Sequence, residues 1–158
     1  MTVPAPLPAS LSASVAATLR RGRAVPLALR FLGALLLLET RLRRWDVARV
    51  ARRYGLALLA SPEASAGALD PRTLDDAEAR ELRVLRRVLR LPGVNGTCLR
   101  SAILAGRVLR GRHPALVLGV AKSGGVVRAH AWLRIDGQDL DLDRGAGFRP
   151  LVVPTPGA

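Results

Sequence analysis

Ala129-His130-Ala131-Trp132-Leu133-Arg134-Ile135-Asp136-Gly137-Gln138-Asp139-Leu140-Asp141-Leu142-Asp143 alternates apolar and polar or aromatic side chains on both sides of Asp136-Gly137. A period of two is the mark of a strand, and Asp-Gly suits the two-residue hairpin turn whose central residues both need positive φ. With Asp136 and Gly137 as the turn, Ile135 is predicted to pair with Gln138, Arg134 with Asp139, Trp132 with Asp141, and His130 with Asp143. His130, Trp132 and Arg134 then share a face with Asp139, Asp141 and Asp143. Ala131, Leu133, Ile135, Leu140 and Leu142 form the other face.

Outward from this hairpin, Ala115 to Val120 is a β-rich run joined to Val126 through the turn signal Lys122-Ser123-Gly124-Gly125. Everything before His113-Pro114 reads as helix and connector. Ser10 or Ser12 can cap a first helix ending near Arg21 at Gly22, and Pro26 opens a second that stays helix-compatible to Tyr54, with Gly55 as C-cap. In its second half Val47, Val50, Ala51 and Tyr54 oppose Arg41, Arg49, Arg52 and Arg53, with Trp45 set among the arginines. That basic face is either solvated or a docking surface.

Leu56 to Leu69 reads as a connector, with Ser61-Pro62-Glu63 as a short helix start. Asp70-Pro71 reads as N-cap and first residue of a third helix, whose apolar stripe is Leu74, Ala77, Leu82, Leu85, Val88 and Leu89, ended by Pro92-Gly93. Glu78 and Glu81 interrupt this stripe. A last helix runs from Thr97 or Cys98 to Arg110, with Cys98, Ala102, Ala105 and Leu109 on one face and Gly111 at its close. The fold class is therefore α+β, with N-terminal helices packed on a small antiparallel sheet. Residues 1–9 are expected to be a flexible lead-in, 10–150 a single domain, and 151–158 a tail.

The formal charge is +13, nearly all from arginine, with Lys122 as the only lysine. Arginine is scattered over helices with leucine, without a basic tail or interleaved aromatics, so nucleic acid is not an expected partner. The longest apolar run, Phe31 to Leu38, falls short of the roughly 20 residues a spanning helix needs, and membrane contact is not expected. A single cysteine excludes an internal disulfide framework and suits a reducing, cytoplasmic setting.

That cysteine has a setting of its own in Asn95-Gly96-Thr97-Cys98-Leu99-Arg100-Ser101-Ala102, where a loop delivers it to the start of a helix. A cysteine with a downstream histidine can act as thiol nucleophile and base. The helix N-terminus and a charged His130 both favour thiolate over thiol, the backbone N–H groups around Cys98 can stabilise an oxyanion, and a carboxylate beside His130 can fix its tautomer. Each element also has an ordinary structural reading: buried cysteines are common packing residues, and aspartates on an edge strand guard against aggregation. Their combination points to Cys98, His130 and Asp143, with Asp141 as the alternative acid. No cofactor or metal is called for.

The blocks Cys98-Leu99-Arg100-Ser101-Ala102, Leu116-Val117-Leu118-Gly119-Val120 and Ala129-His130-Ala131-Trp132-Leu133 with Asp136-Gly137 resemble, in that order, the lasso-peptide biosynthesis B2 proteins, a family of transglutaminase-like cysteine proteases. The resemblance covers Thr97 to Asp143. It implies a transglutaminase/papain-like core and removal of the leader from a ribosomally made precursor peptide, with Cys98 as nucleophile and His130 as base. It further implies a leader-recognition (B1-type) protein as partner and a separate ATP-dependent lasso cyclase acting afterwards. Arg134 departs from the acidic residue common after the His-Ala-Trp block. An acyl transferase of the transglutaminase type and a non-catalytic basic scaffold are the competing readings.

Overall fold

The computed structural model describes the backbone of residues 9–59, 65–94, 96–143 and 147–151, and side-chain surroundings for the same residues apart from 9–23 and 123. The expected lead-in up to Pro8, the tail from Val152 and the helix start at Ser61-Pro62-Glu63 lie outside the described residues. The described chain forms helices α1 (Ala9–Leu42), α2 (Val47–Arg53), α3 (Asp76–Leu89) and α4 (Cys98–Val108). Its strands are β1 (Ala57–Leu58), β2 (Ala115–Ser123), β3 (Val126–Ile135), β4 (Gln138–Leu140) and β5 (Arg149–Pro150). The architecture is α+β, as the sequence predicts.

The first helical break is not at Gly22. α1 runs through both Gly22 and Pro26. The helix forgoes one hydrogen bond, since Pro26 offers no N–H to the carbonyl of Gly22 four residues back. A glycine inside a helix costs only about 1 kcal/mol relative to alanine. The C-terminal half of α1 is anchored by Phe31, Leu35 and Leu38, all buried. The break comes instead after Leu42, where Asp46 caps α2 by accepting a hydrogen bond from the Arg49 N–H at 2.8 Å. Trp45, out of place on a continuous amphipathic helix, lies in this turn with the guanidiniums of Arg49 and Arg41 over its ring at 4.9 and 5.8 Å. Gly55, with φ of +77°, ends α2 as predicted.

Asp70 caps only a 3-10 turn, Pro71–Thr73. The cap of α3 is Asp75, in a reciprocal box: Asp75 Oδ1 accepts from the Glu78 N–H at 2.7 Å, and Glu78 Oε2 accepts from the Asp75 N–H at 3.0 Å. The two glutamates that interrupt the apolar stripe of α3 thus have partners. Glu78 also receives the Arg112 guanidinium, with Nη2 at 2.7 Å, and Glu81 faces Arg30 at 3.7 Å. Arg112 Nη2 donates to the Thr73 carbonyl as well, so it ties the end of α4 to the start of α3.

The sheet is mixed rather than wholly antiparallel, with order β1-β2-β3-β4 and β5 on β2. β1, within the stretch read as connector, lies parallel to β2 through Ala57 and Leu58. β2 and β3 pair antiparallel along their whole length. Asp136 and Gly137 take φ of +49° and +78°, and Ile135 pairs with Gln138, Arg134 with Asp139 and Leu133 with Leu140. The predicted register is correct over these three pairs, but the ladder stops at Leu140.

α4 packs on β3 and against α1 and α3. The core between these layers holds Leu38, Leu85, Ile103, Leu104, Leu116, Leu133 and Ile135, each 1% exposed or less. At roughly 25 cal/mol per Å2 of apolar surface, the burial of each large aliphatic side chain contributes on the order of 2 kcal/mol. Gly106 lies so near Leu56 that a β-carbon there would overlap its methyl groups, so a glycine lets α4 approach the chain entering β1.

Candidate active site

Cys98 is the first residue of α4 and is partly buried against the core. Thr97 is the N-cap in extended conformation, yet its side chain makes no cap hydrogen bond. Its hydroxyl instead accepts from Arg100 Nη1 at 2.7 Å. The same guanidinium donates through Nε to Glu39 Oε2 on α1 at 2.8 Å, with Nη2 at 2.6 Å from that oxygen. A cation in the first turn of a helix is disfavoured by the helix dipole. Glu39 offsets this and binds the start of α4 to α1. Gly96 is equally constrained, since a β-carbon there would run into the backbone carbonyl of Leu89. The loop can enter Cys98 this closely only without a side chain.

The pairing with Arg100 holds the Glu39 carboxyl below its ordinary value of 4.5, and the Arg112 guanidinium does the same to Glu78. A carboxyl whose folded pKa is depressed contributes stability that is fully present above the unfolded value and is lost as pH falls through the folded one. Melting temperature should therefore drop as pH is lowered from about 5 to about 3. In the double variant Glu39→Gln, Glu78→Gln the drop over that interval should be smaller, from a lower starting point, as followed by circular dichroism.

His130, 8% exposed, sits on the face of β3 opposite the α4-facing core residues Ala131, Leu133 and Ile135. Its Nε2 is 2.8 Å from Asp141 Oδ2. A carboxylate accepts and does not donate, so Nε2 carries the proton and Nδ1 is the nitrogen that exchanges one. Asp141 Oδ1 accepts from the Asp143 N–H at 2.9 Å, so both carboxylate oxygens are engaged. The imidazole stacks with two rings, Phe148 at 4.7 Å and Trp132 at 5.9 Å between centroids. These residues, with Asp139, Asp141 and Gly147, line a cavity of about 140 Å3.

The indole of Trp132 needs the room that Gly119 leaves. A β-carbon at Gly119 would come within 2.5 Å of the ring and 2.8 Å of the Arg149 carbonyl on β5. Asp139 is paired with Arg134, which donates to it from Nε at 2.7 Å and Nη2 at 3.1 Å.

The structure thus brings His130 together with Asp141, not with Asp143 as the extended register predicts. Once β4 ends at Leu140, the chain turns, the Asp143 side chain is exposed, and its backbone serves as a donor to Asp141. Cys98 stands at the start of the helix that packs on β3, and among the described residues its thiol makes no hydrogen bond to His130. Sequence reading missed Phe148 and the Glu39–Arg100–Thr97 connection. An arginine in the first turn of a helix was a usable signal for a carboxylate partner. No sequence rule locates that partner 61 residues away.

The transglutaminase-like superfamily model matches residues 34–153, more than half of the chain and all of the elements from the C-terminal quarter of α1 to β5. The chain belongs to the transglutaminase-like superfamily, whose members are in general cysteine proteases and acyl transferases. No curated protein and no solved structure matches it. Among the described residues no helix is long and apolar enough to cross a membrane.

Proposed function

We propose that this protein is a cytoplasmic cysteine peptidase that removes the leader from a ribosomally made lasso-peptide precursor. The observations that support the reading are the His130–Asp141 pair, with His130 on β3 and Asp141 just past the end of β4, and Cys98 as the first residue of α4, the helix packed on β3, within a transglutaminase-like domain. Cys98 Sγ, its proton passed to Nδ1 of His130, attacks the scissile carbonyl, and the first-turn amides of α4 stabilise the oxyanion. The C–N bond breaks as His130 delivers its proton to the leaving amine. Water, deprotonated by His130, then hydrolyses the thioester and restores the thiol. Asp141 keeps the imidazole in the tautomer that exchanges protons through Nδ1. A leader-recognition (B1-type) protein presents the precursor, and an ATP-dependent cyclase takes the liberated core.

The test is mass analysis of a lasso precursor incubated with this protein and a leader-recognition protein. The expected products are a leader with a free carboxylate and a core with a free amine, together heavier than the precursor by one water. Intact precursor would overturn the reading. A leader joined to an added amine would assign acyl transfer in its place.

A further inference from the structure

Away from the cysteine and histidine, the C-terminal ends of three helices converge on a cavity of about 320 Å3 lined by Leu37, Arg41, Arg53, Tyr54, Arg107 and Arg110. Arg41 comes from the last turn of α1, Arg53 from that of α2 and Arg107 from that of α4, while Arg110 begins the 3-10 turn that follows. No described carboxylate lines the cavity. The described carboxylates that form ion pairs with arginine do so elsewhere, with Arg30, Arg43, Arg100, Arg112 and Arg134. Among the described residues none of the four cavity arginines has an ion pair.

Cations at helix C-termini are favourable in themselves, because each helix end carries about half a negative charge. Three such ends amount to about one and a half charges. Four guanidiniums exceed that, and the surplus faces the cavity. Tyr54 adds a second, independent observation. It is 7% exposed and lines the cavity, its hydroxyl is buried, and among the described residues that hydroxyl has no hydrogen-bond partner. A buried hydroxyl left unpaired costs on the order of 1–3 kcal/mol. An acceptor that displaces the atoms covering this hydroxyl would remove that cost.

We infer that this cavity binds a peptide segment carrying several carboxylates. Guanidinium forks match carboxylates in bidentate geometry. Arg53, Arg107 and Arg110 are exposed, so the site is accessible to an extended chain rather than closed around a small anion. Leu37, 44% exposed on its wall, and the neighbouring Leu36, 70% exposed, offer an apolar contact for a side chain between the acids. The inference does not depend on the peptidase reading: it concerns a surface built by α1, α2 and α4, and holds whether or not Cys98 is a nucleophile.

The experiment is fluorescence anisotropy with a labelled oligoglutamate peptide and its oligoglutamine counterpart, on the full chain. Oligoglutamate should bind, oligoglutamine should not, and binding should weaken with salt. The double variant Arg53→Glu, Arg107→Glu should lose at least about tenfold in affinity. The control Arg83→Glu, Arg87→Glu, at exposed positions on α3, changes net charge equally and should leave affinity within about twofold. Tyr54→Phe should weaken binding about threefold while leaving the melting temperature of the free protein equal or higher, which a purely structural tyrosine would not do. Equal losses in the two double variants would reduce the effect to net charge and overturn the inference. So would unaltered affinity in both Arg53→Glu, Arg107→Glu and Tyr54→Phe. Binding to vesicles containing phosphatidylglycerol, without binding to oligoglutamate, would overturn it in favour of a lipid surface.

Discussion

Cys98→Ala is expected to abolish precursor cleavage, with a fall on the order of 10⁴–10⁶-fold in turnover, because removal of a covalent nucleophile leaves only binding and oxyanion stabilisation. The fold should survive. Cys98 is at the first position of α4, only partly buried, and among the described residues its thiol holds no hydrogen bond that alanine would break. Far-UV circular dichroism should be unchanged while leader release, followed by mass spectrometry over hours, disappears. Cleavage retained in this variant would remove Cys98 from the reaction, and with it the peptidase reading. The arginine cavity would be untouched by that outcome.

Asp141→Asn should lower turnover by about 10²–10⁴-fold, whereas Asp143→Asn should cost less than about threefold. The contrast follows from the geometry. Asp141 holds Nε2 of His130 through one oxygen, and its other oxygen is held by the Asp143 N–H. An asparagine at 141 can turn its amide toward the ring, donate to Nε2, and so move the imidazole proton to Nδ1, the wrong nitrogen for a base. At 143 the bond to Asp141 comes from the backbone, which the substitution leaves in place. Comparable losses in the two variants, with melting temperatures intact, would show that Asp141 does not set the tautomer.

Much of this was legible in the residues. Alternation along Ala129–Ile135, the Asp136-Gly137 turn and the Gly124-Gly125 signal predict the order of strands β2, β3 and β4 and the β3–β4 register through Leu140, since a strand's two faces and a two-residue turn are local properties. Cys98 at a helix start follows from a loop-forming Gly96 and the apolar spacing after it. Where a strand stops is another matter. β4 ends after three residues. Continuing to Asp143 would keep Asp141 in the ladder opposite Trp132; ending at Leu140 lets it meet the imidazole. The pattern of alternation is the same in both cases.

The helical region divides in the same way. The C-cap at Gly55 is a local reading that the structure bears out. Of the expected α3 stripe Leu82, Leu85 and Val88 are buried, whereas Ala77 is exposed, Leu74 precedes the helix, and Val84, outside that stripe, is buried. The break between α1 and α2 was missed because Asp46 competes as a cap with an otherwise continuous helical pattern, and only the packing of Val50, Ala51 and Tyr54 decides for the cap. By itself, then, the sequence determined the fold class, the hairpin register near its turn, and which cysteine and histidine to consider. Tertiary structure alone decided that Asp141 rather than Asp143 meets His130, that Phe148 covers the ring, and that Glu39 holds Arg100 at the start of α4. The reason is physical: periodicity and turn chemistry act over a few neighbouring residues, whereas these contacts join segments whose approach is set by how the layers pack.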